Sequence, residues 1–168
     1  MASILGHFAA GYTISKLVKW KIPIGLSILA TLSAFLPDAD VISFQYGIPY
    51  ENWAGHRGFT HSILFAFVWG MICSIFFKKQ KKVVFIIIFL ATLSHPILDG
   101  MTTGGLGCAY FFPYDNTRYF LPWRVIKVSP IGIENFISER GLLVVKSELF
   151  WVITPSIILL ILKGIFKK

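Results

Sequence analysis

The chain has 168 residues, 55% of them hydrophobic and only 14% charged, and its mean hydropathy is +0.70. This composition excludes an ordinary soluble domain and predicts a single membrane-embedded domain over residues 1–168. The formal net charge of +8 does not predict nucleic-acid binding, because the basic residues form short clusters between apolar runs, where anionic lipid accounts for them.

Five apolar runs predict an all-α, polytopic membrane fold of about five transmembrane helices. They cover residues 2–18, 23–36, 61–77, 83–98 and 149–165. Most are slightly shorter than the ~20 residues that cross a bilayer core, and the second covers only ~21 Å as a helix. A long aromatic-rich loop, 99–148, precedes the last helix. We expect it to cap the membrane interface and to contain a short helix near 134–147.

The lysines predict how the chain is oriented in the membrane. Ten of the sixteen basic residues, and none of the eight acids, lie at or just beyond the C-terminal ends of the first, third and fifth runs: Lys16, Lys19, Lys21, Lys78, Lys79, Lys81, Lys82, Lys163, Lys167 and Lys168. Because cytoplasmic segments are enriched in lysine, we predict a multi-pass inner-membrane protein with these residues in the cytoplasm. The connections 37–60 and 99–148 then lie on the extracytoplasmic face.

Polar residues mark the expected outer ends of the second and third helices. Pro37 is expected to end the second helix, since the residue before a proline avoids the α region. In an extended segment, Asp38 and Asp40 then point to the same side. Thr60 is the expected N-cap of the third helix, with His61 in its first turn.

All four histidines fall near the same predicted membrane face. His7 lies toward the outer end of the first helix, and His56 and His61, which need a turn between them, precede the third. His95 and Asp99 are four residues apart and share one face of the fourth helix. Ionisable groups beside apolar segments are costly and indicate a function. This mixture of nitrogen and oxygen ligands suits Zn²⁺, Mn²⁺ or Fe²⁺.

Several segments of the chain resemble the YdjM-like family of membrane-bound metal-dependent hydrolases. They are Gly6-His7, Leu36-Pro37-Asp38-Ala39-Asp40, Gly55-His56-Arg57-Gly58-Phe59-Thr60-His61-Ser62, Ser94-His95-Pro96-Ile97-Leu98-Asp99, and Tyr119-Phe120-Leu121-Pro122-Trp123-Arg124 followed by Ser129-Pro130. The resemblance covers nearly the whole chain. The block around His56 and His61, combined with the later His95 and Asp99, is far more specific than an isolated histidine and aspartate.

More distantly, the order of these motifs is similar to that of zinc-dependent phospholipase C. By that likeness the metal ligands are expected to be His7, Asp40, His61, His95 and Asp99. Asp38 is the alternative to Asp40, and His56 is the alternative to His61. We assign Asp38 and His56 to proton transfer, and Arg57, Arg118 and Arg124 to the substrate phosphate. No histidine follows His95, so a third metal site of that enzyme has no counterpart here.

These features together predict a membrane-bound hydrolase that uses a metal-activated water on a phospholipid or another membrane-confined phosphate ester or ester. The cofactor is expected to be one or two divalent ions, with zinc as the first choice and manganese or iron as alternatives. The partners are the lipid bilayer and a lipid-like substrate. The alternative hypothesis is a non-catalytic metal-binding membrane protein with a structural or regulatory role.

Overall fold

A computed structural model describes residues 1–166, and within this range the fold is helical. The α-helices are α1 (Ile4–Leu17), α2 (Ile24–Phe35), α3 (Ile63–Ile75), α4 (Lys81–Gly100), α5 (Ile133–Phe136), α6 (Glu139–Glu148) and α7 (Thr154–Ile165). They are joined by two 3₁₀ segments, Leu36–Tyr46 and Phe59–His61, and by a π-helical turn, Leu149–Ile153. The described residues form isolated bridges but no β-strand, which confirms the all-α prediction.

Three helical stretches within residues 1–166 are long and apolar enough to cross a membrane. They are Ile24–Tyr46, Lys81–Gly100 and Glu139–Ile165, and α3 is a shorter apolar helix. Many large apolar side chains remain on the outside of the bundle, as expected where lipid replaces water as the solvent. Lys167 and Lys168, which the sequence analysis places in the cytoplasm, lie outside the described residues.

Helix α1 buries its small and polar side chains instead of its apolar ones. Its buried residues are Gly6, His7, Gly11, Thr13 and Ser15. A Cβ atom on Gly11 would lie 2.6 Å from Cβ of Ala34 in α2 and 2.9 Å from the Ala30 carbonyl oxygen. Small residues at such a crossing let two membrane helices approach closely. The crossing brings the N-terminal end of α1 beside the C-terminal end of α2, where His7 lies 3.8 Å from Asp38.

Two local expectations at the helix ends are corrected by the structure. The α-helix does end at Phe35, but the chain continues as a 3₁₀ helix through Asp38 and Asp40 and is not extended. A proline at the start of a helical segment loses no hydrogen bond, so Pro37 is compatible with this continuation. The N-cap of α3 is Ser62, not Thr60, because the Ser62 side chain accepts a hydrogen bond from the Phe65 amide.

The last span begins earlier than the apolar run 149–165 suggests. The π-helical turn connects α6 to α7, so one helical path runs from Glu139 to Ile165. The short helix expected near 134–147 therefore corresponds to α5 and α6, and α6 is continuous with the span that follows. The path carries Glu148, a fully buried acid, into the membrane-spanning helix.

Candidate metal centre

Five side chains from four separate parts of the chain meet at one end of the bundle. His7 lies near the start of α1, Asp38 in the 3₁₀ segment after α2, and His61 in the short 3₁₀ turn before α3. His95 and Asp99 lie in the last turns of α4, which stays helical through Pro96. Each of the five residues is at most 4% exposed. The predicted convergence of histidines and aspartates is therefore present in the structure.

The nitrogen and oxygen atoms of this cluster lie closer together than unrelated buried groups would. Nε2 of His61 and Nε2 of His95 are 3.0 Å apart, and Nε2 of His95 is 3.3 Å from Oδ1 of Asp38. Nε2 of His61 is 3.7 Å from Oδ2 of Asp99, and Nε2 of His7 is 3.4 Å from Oδ1 of Asp99. Ligand atoms that each lie about 2.0–2.2 Å from one shared zinc ion are separated by similar distances.

Hydrogen bonds on the far side of two imidazoles determine which nitrogen faces the cluster. Nδ1 of His95 is 2.8 Å from the carbonyl oxygen of Ala34, where it can only donate. Nδ1 of His61 is 3.1 Å from Oδ2 of Asp40. Metal-binding histidines usually donate their second ring nitrogen to a carbonyl or a carboxylate in this way. The lone pair of each Nε2 is then directed into the cluster.

Two members of the cluster have polar atoms without a partner. Among the described residues, neither oxygen of Asp38 and neither ring nitrogen of His7 makes a hydrogen bond. A buried carboxylate without a compensating partner is expensive. A cation among these atoms would satisfy them, so the residues present fit a divalent metal. Asp38, His61, His95 and Asp99 offer ligand atoms that all lie within 4.8 Å of one another.

Asp40 differs from Asp38 because its carboxylate is already fully engaged. Its Oδ1 is 2.6 Å from Nδ1 of His56, and its Oδ2 accepts hydrogen bonds from the Arg57 amide at 3.0 Å and the Thr60 hydroxyl at 2.6 Å. Asp40, His56 and His61 form a second group with possible metal-ligand spacing. In this group, however, hydrogen bonds already join the facing atoms, so a cation has no unpaired atoms to satisfy.

Arg57 is fully buried and directs its guanidinium inward. Its Nε donates to Oδ2 of Asp99 at 2.9 Å, and its two terminal nitrogens donate to the Thr102 hydroxyl and the Gly104 carbonyl at 3.0 Å each. Its backbone has a φ of 64°, an uncommon conformation for a residue other than glycine. Such strain is often found at functional sites. The contacts orient Asp99 from behind.

The other two predicted substrate arginines lie outside the cluster. Arg118 donates to the carbonyl oxygens of His56 and Tyr50, both at 2.7 Å, and so fastens the loop that carries His56. Arg124 is exposed, donates from Nε to the Thr102 carbonyl at 2.9 Å, and stacks 3.7 Å from the centre of the Phe120 ring. Their assignment to a substrate phosphate stays a prediction.

The two histidines outside the membrane-spanning segments have opposite pKa shifts. Burial disfavours the charged form of both. At His61 the negative charges of Asp40 and Asp99 outweigh burial and raise the pKa to about 9. At His56 burial outweighs the hydrogen bond to Asp40, and the pKa is lowered. The environment of His61 therefore favours a positive charge, which a proton or a metal ion can supply.

One buried acid near this site was not predicted from the sequence. Glu148 accepts hydrogen bonds from the amide and the hydroxyl of Ser3, the N-cap of α1. The amide of Ala2, one residue before Ser3, donates to Oδ1 of Asp99 at 2.6 Å. An acid beside the apolar run 149–165 was the available signal, because a charged residue in a membrane span marks a functional or structural contact.

Comparisons with known proteins agree with the membrane architecture. The model of the YdjM inner membrane protein family matches residues 1–168. The chain is 38% identical over 165 residues to the inner membrane protein YbcI of Escherichia coli (strain K12), and the alignment covers 95% of each chain. No solved structure matches the chain. The match over the full length shows that the chain belongs to the YdjM inner membrane protein family.

Proposed function

We propose that this protein is a membrane-bound metal-dependent hydrolase whose centre is formed by His7, Asp38, His61, His95 and Asp99. The observation that carries the proposal is a set of polar atoms without hydrogen bonds on Asp38 and His7. Asp38 belongs to the closely spaced ligand group with His61, His95 and Asp99, and Nε2 of His7 lies 3.4 Å from Oδ1 of Asp99 and 3.8 Å from Oδ2 of Asp38. Hydrogen bonding within the protein leaves these atoms unsatisfied, whereas a divalent cation would satisfy them.

The geometry supports an exchange of the roles first assigned to Asp38 and Asp40. Asp38 has free oxygens and lies 3.3 Å from His95, which suits a metal ligand. Asp40 holds Nδ1 of both His56 and His61 and suits an orienting residue. His56 remains the proposed acid–base group, because the bond to Asp40 fixes its ring and leaves its other nitrogen for proton transfer.

The two carboxylates are arranged in a way that supports two ions. Asp38 turns Oδ1 toward His95 at 3.3 Å and Oδ2 toward His7 at 3.8 Å. Asp99 likewise turns Oδ2 toward His61 at 3.7 Å and Oδ1 toward His7 at 3.4 Å. A first ion would be held by His61 and His95 and a second by His7, and Asp38 and Asp99 would contribute oxygens to both. Paired metal sites are common in enzymes that cleave phosphate esters.

The substrate class follows from the position of the centre. A bound divalent ion lowers the pKa of water and polarises a phosphoryl or acyl oxygen. The centre lies at the ends of membrane helices, so we propose a phospholipid or another membrane-confined ester as substrate. We further propose that the chain crosses the membrane five times, with α1 and α3 added to the three long spans. In that topology the centre faces the extracytoplasmic side.

Metal content and hydrolysis, measured on the same preparations, test this function. Detergent-purified protein that has not met a metal-affinity column is expected to contain one or two equivalents of zinc, manganese or iron by elemental mass spectrometry. It is expected to hydrolyse phospholipid vesicles or soluble phosphate esters. His95→Ala should lower the metal content well below one equivalent and turnover by at least about 100-fold, since it removes a ligand instead of an orienting group.

Glu51→Ala provides the control, because Glu51 is an exposed acid in the connection that carries His56. It should leave metal content and turnover unchanged. Protein that lacks metal and takes up none when metal is added would contradict the proposal. Turnover that survives His95→Ala at full rate would contradict it as well.

Complete burial of the cluster supports a second candidate function, a closed metal site with a structural or regulatory role. Asp38 is the most exposed of the five ligands, at 4%. A structural site has all positions filled by protein, whereas a catalytic site keeps one open for water or substrate. Binding of inorganic phosphate or azide to the Co²⁺-loaded protein distinguishes the two. A change in the Co²⁺ absorption indicates an open position, and an unchanged spectrum indicates the closed site.

A further inference from the structure

Glu148 is a buried acid that the proposed chemistry does not use. It is 0% exposed and lies at the last residue of α6, where the helix passes into the π-helical turn Leu149–Ile153. The surrounding helix, Glu139–Ile165, is one of the membrane-spanning candidates. A carboxylate in such a helix is costly unless it has a partner, and π-helical turns are frequent at functional sites.

The partner of Glu148 is the first turn of α1. Its carboxylate accepts hydrogen bonds from the amide and the hydroxyl of Ser3. Ser3 is the N-cap of α1, and its hydroxyl accepts from the Leu5 amide at 3.2 Å. A Cβ atom on Gly6 would lie only 3.1 Å from the carboxyl carbon of Glu148. The acid therefore lies against the positive end of the helix dipole, where negative charge is favourable.

This contact is one turn away from a proposed metal ligand. The His7 amide donates to the carbonyl oxygen of Ser3 at 3.2 Å, so the position of Ser3 determines where His7 lies. The adjacent Ala2 amide donates to Oδ1 of Asp99 at 2.6 Å. Residues 2 and 3 thus connect Glu148 on one helix to Asp99 on another, with His7 between them in space.

We infer that Glu148 is a positioning residue for the metal centre, which holds the first turn of α1 so that His7 faces Asp38 and Asp99. This role rests on the proposed function, since it presupposes a metal at His7. Glu148 itself is not a ligand. It acts through Ser3 on the helix that carries the ligand, and the last membrane helix thereby becomes part of the site.

Co²⁺ binding measured on the purified full-length chain tests the inference, because visible Co²⁺ absorption depends on the number and type of ligands. Glu148→Ala is expected to weaken Co²⁺ binding about 10-fold, the lower end of the range found when a group bonded directly to a ligand is removed, because Glu148 acts on His7 only through Ser3. Its spectrum should match that of His7→Ala at saturating Co²⁺. Glu148→Gln keeps the size and one acceptor oxygen, and should weaken binding only about fivefold, the equivalent of one hydrogen bond.

Glu139→Ala is the matched control, since it removes an exposed acid from the other end of the same helix. It should keep the affinity and the spectrum of the wild type. A merely structural role for Glu148 predicts a lower melting temperature with an unchanged spectrum, and this result would overturn the inference. If Glu148→Ala does not fold, Glu148→Gln decides: wild-type affinity and spectrum would overturn the role.

The same experiment separates this inference from the proposed function. A wild-type chain that shows no Co²⁺ absorption would overturn the metal centre and the role of Glu148 together. A normal wild-type spectrum that is also seen in both Glu148 variants would overturn only the role of Glu148. An equal loss of affinity in Glu139→Ala would assign the effect to net charge and would likewise overturn it.

Discussion

At the scale of single residues, the centre is defined by carboxylates in two different states. Asp40 receives hydrogen bonds from a hydroxyl and an amide and lies against two imidazoles. Asp38, only two residues away, has no hydrogen-bond partner among residues 1–166. The first state stabilises the loop that carries His56 and His61. We expect the second to destabilise the metal-free protein, because this buried carboxylate has imidazole nitrogens at 3.3–3.8 Å but no hydrogen bond.

This difference predicts opposite effects of Asp38→Asn with and without metal. The metal-free variant should melt at the same temperature as the metal-free wild type or higher, because a neutral amide replaces the unpaired carboxylate. Added Zn²⁺ at about 100 times its Kd should stabilise the wild type by ~2.7 kcal/mol, and this gain should largely vanish in the variant. Thermal unfolding in detergent, followed with a chelator and then with Zn²⁺, measures both quantities.

Glu51→Gln is the control for that experiment, because it removes an exposed carboxylate and should leave both melting temperatures unchanged. A metal-free Asp38→Asn protein that melts well below metal-free wild type would show that Asp38 has a stabilising partner. In that case Asp38 would be a structural residue, and the main argument for a cation in the cluster would fail.

At the scale of elements, the position of His7 depends on the close crossing of α1 and α2. A Cβ atom on Gly11 would lie 2.6 Å from Cβ of Ala34, so Gly11→Ala should push the two helices apart. Alanine favours a helix over glycine by about 1 kcal/mol, so any loss must come from packing. We expect Gly11→Ala to lower both the unfolding free energy and the metal affinity. Thermal unfolding measures the change in stability, and titration with Co²⁺ measures the change in metal affinity.

The same substitution at Gly25 is the matched control, since a Cβ atom there has no neighbour within 4 Å among the described residues. Gly25→Ala lies in α2 and should be neutral or stabilising by less than about 1 kcal/mol. If Gly11→Ala and Gly25→Ala lower stability and metal affinity equally, the effect comes from replacing a helical glycine and not from the crossing of α1 and α2. An unchanged metal affinity in Gly11→Ala would show that the crossing does not determine the position of His7.

Helix types and motif positions could be predicted from the sequence, whereas helix ends and partners could not. Apolar runs identify α1, α2, α3, α4 and α7. The placement of histidines and aspartates near one membrane face predicts that they cluster. The 3₁₀ path beyond Pro37 was not predictable, because Leu36 adopts the right-handed helical conformation that the residue before a proline usually avoids. The roles of Asp38 and Asp40 depend on which of them meets His56, and that contact requires the tertiary fold.

At the scale of the whole molecule, the distribution of lysines determines the proposed side of the membrane. Lys78 and Lys79 lie between α3 and α4, at the opposite ends of these helices from His61 and His95. If the lysines are cytoplasmic, the metal centre and the long loop before α5 are extracytoplasmic. The proposed hydrolase would then act on the outer leaflet of the inner membrane.

Cysteine labelling of cells whose inner membrane is intact tests this orientation. Tyr114→Cys places a thiol at a side chain that is 97% exposed in the long loop, and Lys79→Cys places one in the lysine-rich connection. A membrane-impermeant maleimide should label Tyr114→Cys in cells with a permeabilised outer envelope, and Lys79→Cys only after lysis. The parent chain should remain unlabelled, since Cys73 and Cys108 are buried. The reverse labelling pattern would show that the centre and its proposed substrate lie at the cytoplasmic leaflet. The argument for a bound metal does not depend on this orientation.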